Sequence, residues 1–163
     1  MPDDWIRQWP DPTLRAVALP TGDVDDLVRM QLRRMAAQLT AADGAGLAAT
    51  QIGSLRRMFV YRPRPEDEVR ALVDPRVTWA SGETETFVEG CLSFMAVTVA
   101  VERPVAVTVT GLDGDGEPVT IEAEGQDASL LQHEIDHLDG VITLDRATAR
   151  ERRRVIGRLL LAA

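Results

Sequence analysis

An α+β fold is expected for this chain of 163 residues, on three observations. Apolar residues recur at helical spacing near the start. A middle stretch rich in β-branched residues is cut by turn signals. Two more helical stretches close the chain. Helix, then strands, then helix is the order of a fold whose helices pack against antiparallel sheet.

Each element has a local reason. Val24, Leu27, Val28, Leu32, Met35 and Leu39 share one side of a helix over residues 24–42. Thr21 or Asp23 offers its cap, and Asp43-Gly44 its stop. Gly44-Ala45-Gly46 by itself reads as a helix stop and loop, since the glycine pattern of a phosphate site is incomplete. Residues 58–61 and 71–73 read as strands, the second closed by Asp74-Pro75. Residues 76–87 look extended, with a bend at Ser81-Gly82. Residues 97–101 and 105–112 are rich in valine and threonine, as strands are. Asp113-Gly114-Asp115-Gly116 is a turn, and 119–124 the return strand. Residues 126–139 form a helix ended by Gly140. A last helix over 147–161 would pack Val155, Ile156, Leu159 and Leu160 inward.

Composition narrows the function. The length suits a single domain over residues 1–163. With 45% hydrophobic residues and no apolar run of bilayer length, no membrane partner is expected. The start, Met1-Pro2-Asp3-Asp4-Trp5, lacks the layout of a signal peptide, and a lone cysteine cannot form an internal disulfide, so a cytoplasmic setting is expected. A net charge of −8 argues against a broad nucleic-acid surface, and DNA is not expected as a partner. Arg146, Arg150, Arg152, Arg153, Arg154 and Arg158 nevertheless crowd the C-terminus. A solvated helix face is the favoured explanation, and docking on ribosomal RNA the second.

The chemistry concentrates in two runs. Both histidines lie in Gln132-His133-Glu134-Ile135-Asp136-His137, and the one cysteine in Glu89-Gly90-Cys91-Leu92-Ser93. His133 and His137, four apart on a helix, can grip one ion from the same face. Glu134 stands beside that ion, where a general base for water belongs. Ala128, Leu131, Ile135 and Leu138 form an apolar stripe that would anchor the helix. A third ligand is required. Cys91 is one candidate, and Asp145 or Glu151 the alternative, as in a metallopeptidase. Glu89 and Asp136 either orient the histidines or pair with Arg103; both readings stand.

Three stretches together resemble the peptide deformylase family: Gly44-Ala45-Gly46-Leu47-Ala48-Ala49-Thr50-Gln51, Glu89-Gly90-Cys91-Leu92-Ser93, and the histidine run. Asp11-Pro12-Thr13-Leu14-Arg15 and Glu102-Arg103-Pro104 extend the likeness over nearly the whole chain. The resemblance implies small antiparallel sheets packed around a central metal-binding helix, with a C-terminal helix. It implies Cys91, His133 and His137 as ligands of one divalent ion, typically Fe2+, with Zn2+, Ni2+ or Co2+ as substitutes. It implies Glu134 as the proton carrier, and the Gln51 amide and Leu92 N–H as donors to an oxyanion. The implied substrate is an N-formylated peptide, formyl-methionine at the start of nascent chains, with formate released. A non-catalytic metal-binding module would need neither Glu134 nor Gln51.

The departures fall on the substrate side. Gly44, Ala45 and Gly46 would let backbone approach a peptide, yet Ala45 stands where the family usually has isoleucine or valine. Phe94 and Met95 replace a small aliphatic residue and proline, and Thr98 replaces an arginine. Gln126, Ser129 and Leu130 lie towards the histidines and are expected to line the pocket for the formylated residue. Gln126 is alternatively an exposed first turn, with Ser129 a cap. A preference shifted away from formyl-methionine, in a specialised deformylase, is the resulting alternative.

Overall fold

The computed structural model describes residues 5–94 and 97–162; Met95 lies outside them. Helix α1 spans Asp26–Ala41. Its cap is Asp25, whose carboxylate accepts the Val28 N–H at 2.8 Å, and not Thr21 or Asp23. The N–H groups of Thr21 and Gly22 are held by the Asp74 carboxylate instead. The chain leaves α1 through Asp43 at φ 50°, and the Gly44 N–H returns to the Leu39 carbonyl.

Strands β1 (Gly46–Ala48), β2 (Met58–Tyr61), β3 (Arg70–Ala80), β4 (Thr84–Gly90), β5 (Thr98–Pro104), β6 (Ala106–Leu112) and β7 (Pro118–Glu124) form two sheets. One has the order β1-β2-β3-β6-β7, and the other is the β4-β5 ribbon. The pairings are antiparallel. β1 and the 3-10 turn Ala49–Ile52 replace the loop expected after Gly44. β3 also runs through Asp74-Pro75, where a strand end was expected. The β3–β6 register slips between Val73 and Arg76, and Asp74 takes φ 50°. Such a bulge spares the ladder the N–H that proline lacks. The single extended segment expected over 76–87 is two strands in different sheets, parted at Ser81-Gly82.

Helix α2 (Gly125–Leu138) lies on one face of the five-stranded sheet. Its stripe of Ala128, Leu131, Ile135 and Leu138 meets Phe59, Tyr61, Leu72, Val107 and Val109. On the other face, Val28, Leu32, Met35 and Leu39 of α1 meet Leu47, Met58, Val60 and Val73. β2 is therefore buried on both sides, which is why its sequence is apolar throughout. The ribbon has its own core, in which Val99 and Val101 meet Phe94, Leu144 and Val155. That core ties it to α3 (Thr143–Arg146), a short helix the sequence pattern does not signal, and to α4 (Ala149–Ala162). Leu160 does not pack inward: α4 rests on the ribbon core through Val155, Ile156 and Leu159, and Leu160 is 67% exposed.

Candidate metal centre

Three elements deliver one cluster. α2 carries His133 and His137 on successive turns, and their Nε2 atoms stand 3.2 Å apart. Cys91 follows β4, and its Sγ lies 3.3 Å from His137 Nε2. The three donor atoms all lie within 4.8 Å of one another. The alternative third ligands are engaged elsewhere. Asp145 accepts the Ile142 N–H and pairs with Arg15. Glu151 accepts the Ala100 N–H and pairs with Arg154. Neither reaches the histidines, because both belong to the packing of α3 and α4 against the ribbon.

The donor chemistry fits a cation. His133 Nδ1 faces Glu89 Oε2 at 2.9 Å, so its proton belongs there and Nε2 offers a lone pair. That lone pair looks at a second ring nitrogen and a sulfur; both rings are buried, and Cys91 is half-buried. Without a positive charge among them, the three repel or must share protons. Burial opposes charge on His133, but Cys91 and Glu89 outweigh it and hold the ring well above the usual histidine range. Burial and the neighbouring His133 push His137 well below that range. A site that would hold a proton on one ring and repel it from the next suits a divalent ion better. Two imidazoles and a thiolate match Fe2+, Zn2+, Ni2+ or Co2+.

Glu134 adds a carboxylate beside the three donors. It is buried beside the cluster, and its Oε2 has no hydrogen-bond partner among the described residues. Burial pushes its carboxyl up to about 7. Gln51, in the turn after β1, is fixed through its oxygen, which accepts the Ala48 N–H at 2.8 Å. Its NH2 donates to Ser93 Oγ at 3.0 Å and points to Cys91 Sγ at 3.6 Å. The Leu92 carbonyl is held by Gln8. The Leu92 N–H has no acceptor among the described residues.

A buried charge network supports the cluster from behind. Arg103 bonds Glu89 with Nε at 2.5 Å and Nη2 at 3.0 Å, and Asp136 with Nη1 at 2.8 Å. Burial opposes charge on Glu89, yet the bonds from His133 and Arg103 prevail and hold its carboxyl down at about 2. Glu89 thus plays both roles left open by the sequence. Asp136 does not touch a histidine: Arg103 and Arg146 take its two oxygens. Ser129 is not a cap either. The residue before α2 is Glu124, and the Ser129 hydroxyl donates to Glu89 Oε1 at 2.7 Å.

Cys91, His133 and Glu134 line a cavity of about 560 Å3. Gly44, Ala45, Gly46, Phe94, Gln126, Ser129 and Leu130 all line it. Thr98, one of the departures on the substrate side, lines it too, and so do Val88 and Arg158, which were not foreseen as lining. Gln126 is exposed in the first turn of α2 while facing the cavity, so both readings of it hold.

A converging set of three metal donors, an uncommitted carboxylate and an open cavity define a metal-dependent hydrolase. Comparison with known proteins narrows the class. Residues 3–153 match the family model for polypeptide deformylase. A peptide deformylase of Natranaerobius thermophilus is 44% identical over 87% of this chain and 90% of its own. The crystal structure of a peptide deformylase from Legionella pneumophila superposes with a TM-score of 0.90 at 34% identity, covering 96% of this chain and 93% of that one. One from Thermotoga maritima gives 0.83 at 38% identity, over 88% and 96%. The chain belongs to the polypeptide deformylase family.

Proposed function

We propose that residues 1–163 act as one catalytic unit that hydrolyses the N-formyl group of formyl-methionine on nascent peptides in the cytoplasm. The observation that carries this reading is the unpartnered Glu134 Oε2 beside the Cys91, His133 and His137 donors. Those three side chains would hold a divalent ion, Fe2+ in the first instance. Once bound, the ion would supply Lewis acidity. Glu134 takes a proton from the attacking water as its oxygen bonds to the formyl carbon. The Gln51 NH2 and the Leu92 N–H donate to the carbonyl oxygen as it gains charge. Glu134 then returns the proton to the peptide nitrogen as the C–N bond breaks. Formate and a free amine leave.

Formate release from formyl-Met-Ala-Ser by anaerobically prepared protein is the test. Chelation should abolish it, and Fe2+ should restore it. Fully loaded protein that frees no formate from any N-formyl peptide would refute the assignment.

The close approach of β1 to α2 yields a second expectation. A methyl group added at Gly46 would stand 2.1 Å from Glu134 Oε1 and 2.5 Å from its Cδ. The carboxylate must move aside. Gly46→Ala should therefore cut turnover on the order of a hundredfold, the cost of misplacing a catalytic group by about 1 Å. Its thermal midpoint should change little. Unaltered kcat/KM would show that Glu134 does not act from this position.

The polar lining of Thr98 and Gln126 favours a second reading, a deformylase with loosened preference for methionine. Initial rates on formyl-Met, formyl-Ala and formyl-Gln peptides separate the two. Ribosome docking by α4 has a narrower basis than the arginine count suggests. Arg146 serves Asp136, Arg152 binds the Leu144 carbonyl, and Arg154 binds Glu151. Arg150, Arg153 and Arg158 remain for an RNA contact, which steep salt dependence of ribosome binding would reveal.

A further inference from the structure

The cavity carries charge away from the metal centre as well as at it. Of the charged side chains on its wall, Glu89 is neutralised by Arg103, and His133 and Glu134 belong to the reacting end. Two remain: Asp127 in the first turn of α2, and Arg158 on α4. They come from different helices and do not form an ion pair with each other among the described residues.

Arg158 is presented by a fastened helix. Glu151 accepts the Ala100 N–H at 3.0 Å, and Arg154 donates to the Thr98 carbonyl at 2.9 Å. These bonds pin α4 along the start of β5. The next turn carries Arg158 to the same wall that Val97 and Thr98 form. Arg154, one turn earlier, is spent on Glu151; Arg158 has no hydrogen-bond or ion-pair partner among the described residues. Among the described residues it is the one arginine on the cavity wall. A peptide whose formyl group sits at the Cys91 end must extend its following residues through the remainder of the cavity.

We infer that Arg158 is a specificity-determining residue that draws in N-formyl peptides bearing a carboxylate one or two residues after the formylated one, and disfavours lysine there. The inference rests on the deformylase reading above. The net charge of −8 works the other way at long range, attracting cationic peptides. An acidic preference must therefore come from a nearby group. Exposed ion pairs change affinity by about two- to fivefold. Exchanging an acid for lysine turns attraction into repulsion, so about fivefold between the two peptides is expected. Arg158 is none of the groups assigned to the reaction, so the difference should appear in KM, with kcat nearly equal.

The test compares kcat/KM for formyl-Met-Glu-Ala and formyl-Met-Ala-Glu, both as C-terminal amides, with their lysine counterparts at low salt. The metal-loaded protein should favour one acidic peptide about fivefold, and the preference should fade in high salt. Arg158→Gln should bring the ratio to about one, and Arg158→Glu should invert it. Asp127→Asn should widen it. Arg153→Gln, an exposed arginine of the same helix outside the cavity wall, should preserve it. A ratio of one in the unsubstituted protein, a ratio that survives Arg158→Gln, or an equal loss in Arg153→Gln overturns the inference alone. Absence of formate from every peptide removes the deformylase reading, and this inference with it.

Discussion

Glu134→Gln is expected to lower formate release by about 10²- to 10⁴-fold while metal content stays unchanged. The substitution is nearly isosteric and Glu134 is not one of the three converging donors, so the Cys91, His133 and His137 geometry should survive. What disappears is the ability to accept a proton. The expectation rests on the Oε2 atom, which is buried with no partner among the described residues, as suits a group that takes a proton from water. Burial lifts the carboxyl to about 7, so its affinity for a proton is well matched to neutral solution. An amide there can still accept a hydrogen bond from water but cannot carry its proton to the leaving nitrogen. Metal analysis alongside steady-state kinetics checks this. A Glu134→Gln enzyme within tenfold of the original, with full metal, would mean that another group moves the proton.

The metal helix was legible in the sequence because its information is local. The stripe Ala128, Leu131, Ile135 and Leu138 fixes the period, Gly140 at φ 70° marks the exit, and His-Glu-x-x-His fixes the face. β1 was not legible. Three residues carry no period, and Gly46–Ala48 becomes a strand only by pairing with Met58–Tyr61. The Asp74-Pro75 bulge misled for a related reason, since a register slip depends on β6. The ambiguity over Glu89 and Asp136 was resolved by one guanidinium that reaches a partner 14 residues away and another 33 away. Arg158 was visible only as one arginine among six. Where α4 docks decides which of them faces the cavity, and the bonds to Thr98 and Ala100 that decide it are long-range.

That guanidinium supports the second large expectation. Arg103 is 4% exposed and is shared by two buried carboxylates. Arg103→Met keeps much of the volume but leaves, among the described residues, Glu89 with His133 and Ser129 and Asp136 with Arg146. Breaking a buried ion pair by removing one partner costs about 3–5 kcal/mol. In a chain of this size each kcal/mol is worth about 2–4 °C, so the midpoint should fall by roughly 10 °C. Arg103→Lys should not rescue it fully, since an ammonium cannot reproduce the fork that grips Glu89 through two nitrogens while a third holds Asp136. A separate readout follows the support of His133. Glu89 orients that ring through Nδ1, and loosening such a partner costs about 10- to 100-fold in metal affinity. Thermal unfolding and competition for Zn2+ against a chromogenic chelator measure the two effects independently. An Arg103→Met protein that unfolds within ~2 °C of the original, less than one kcal/mol, and holds zinc equally well would show that Glu89 and His133 keep their places without Arg103.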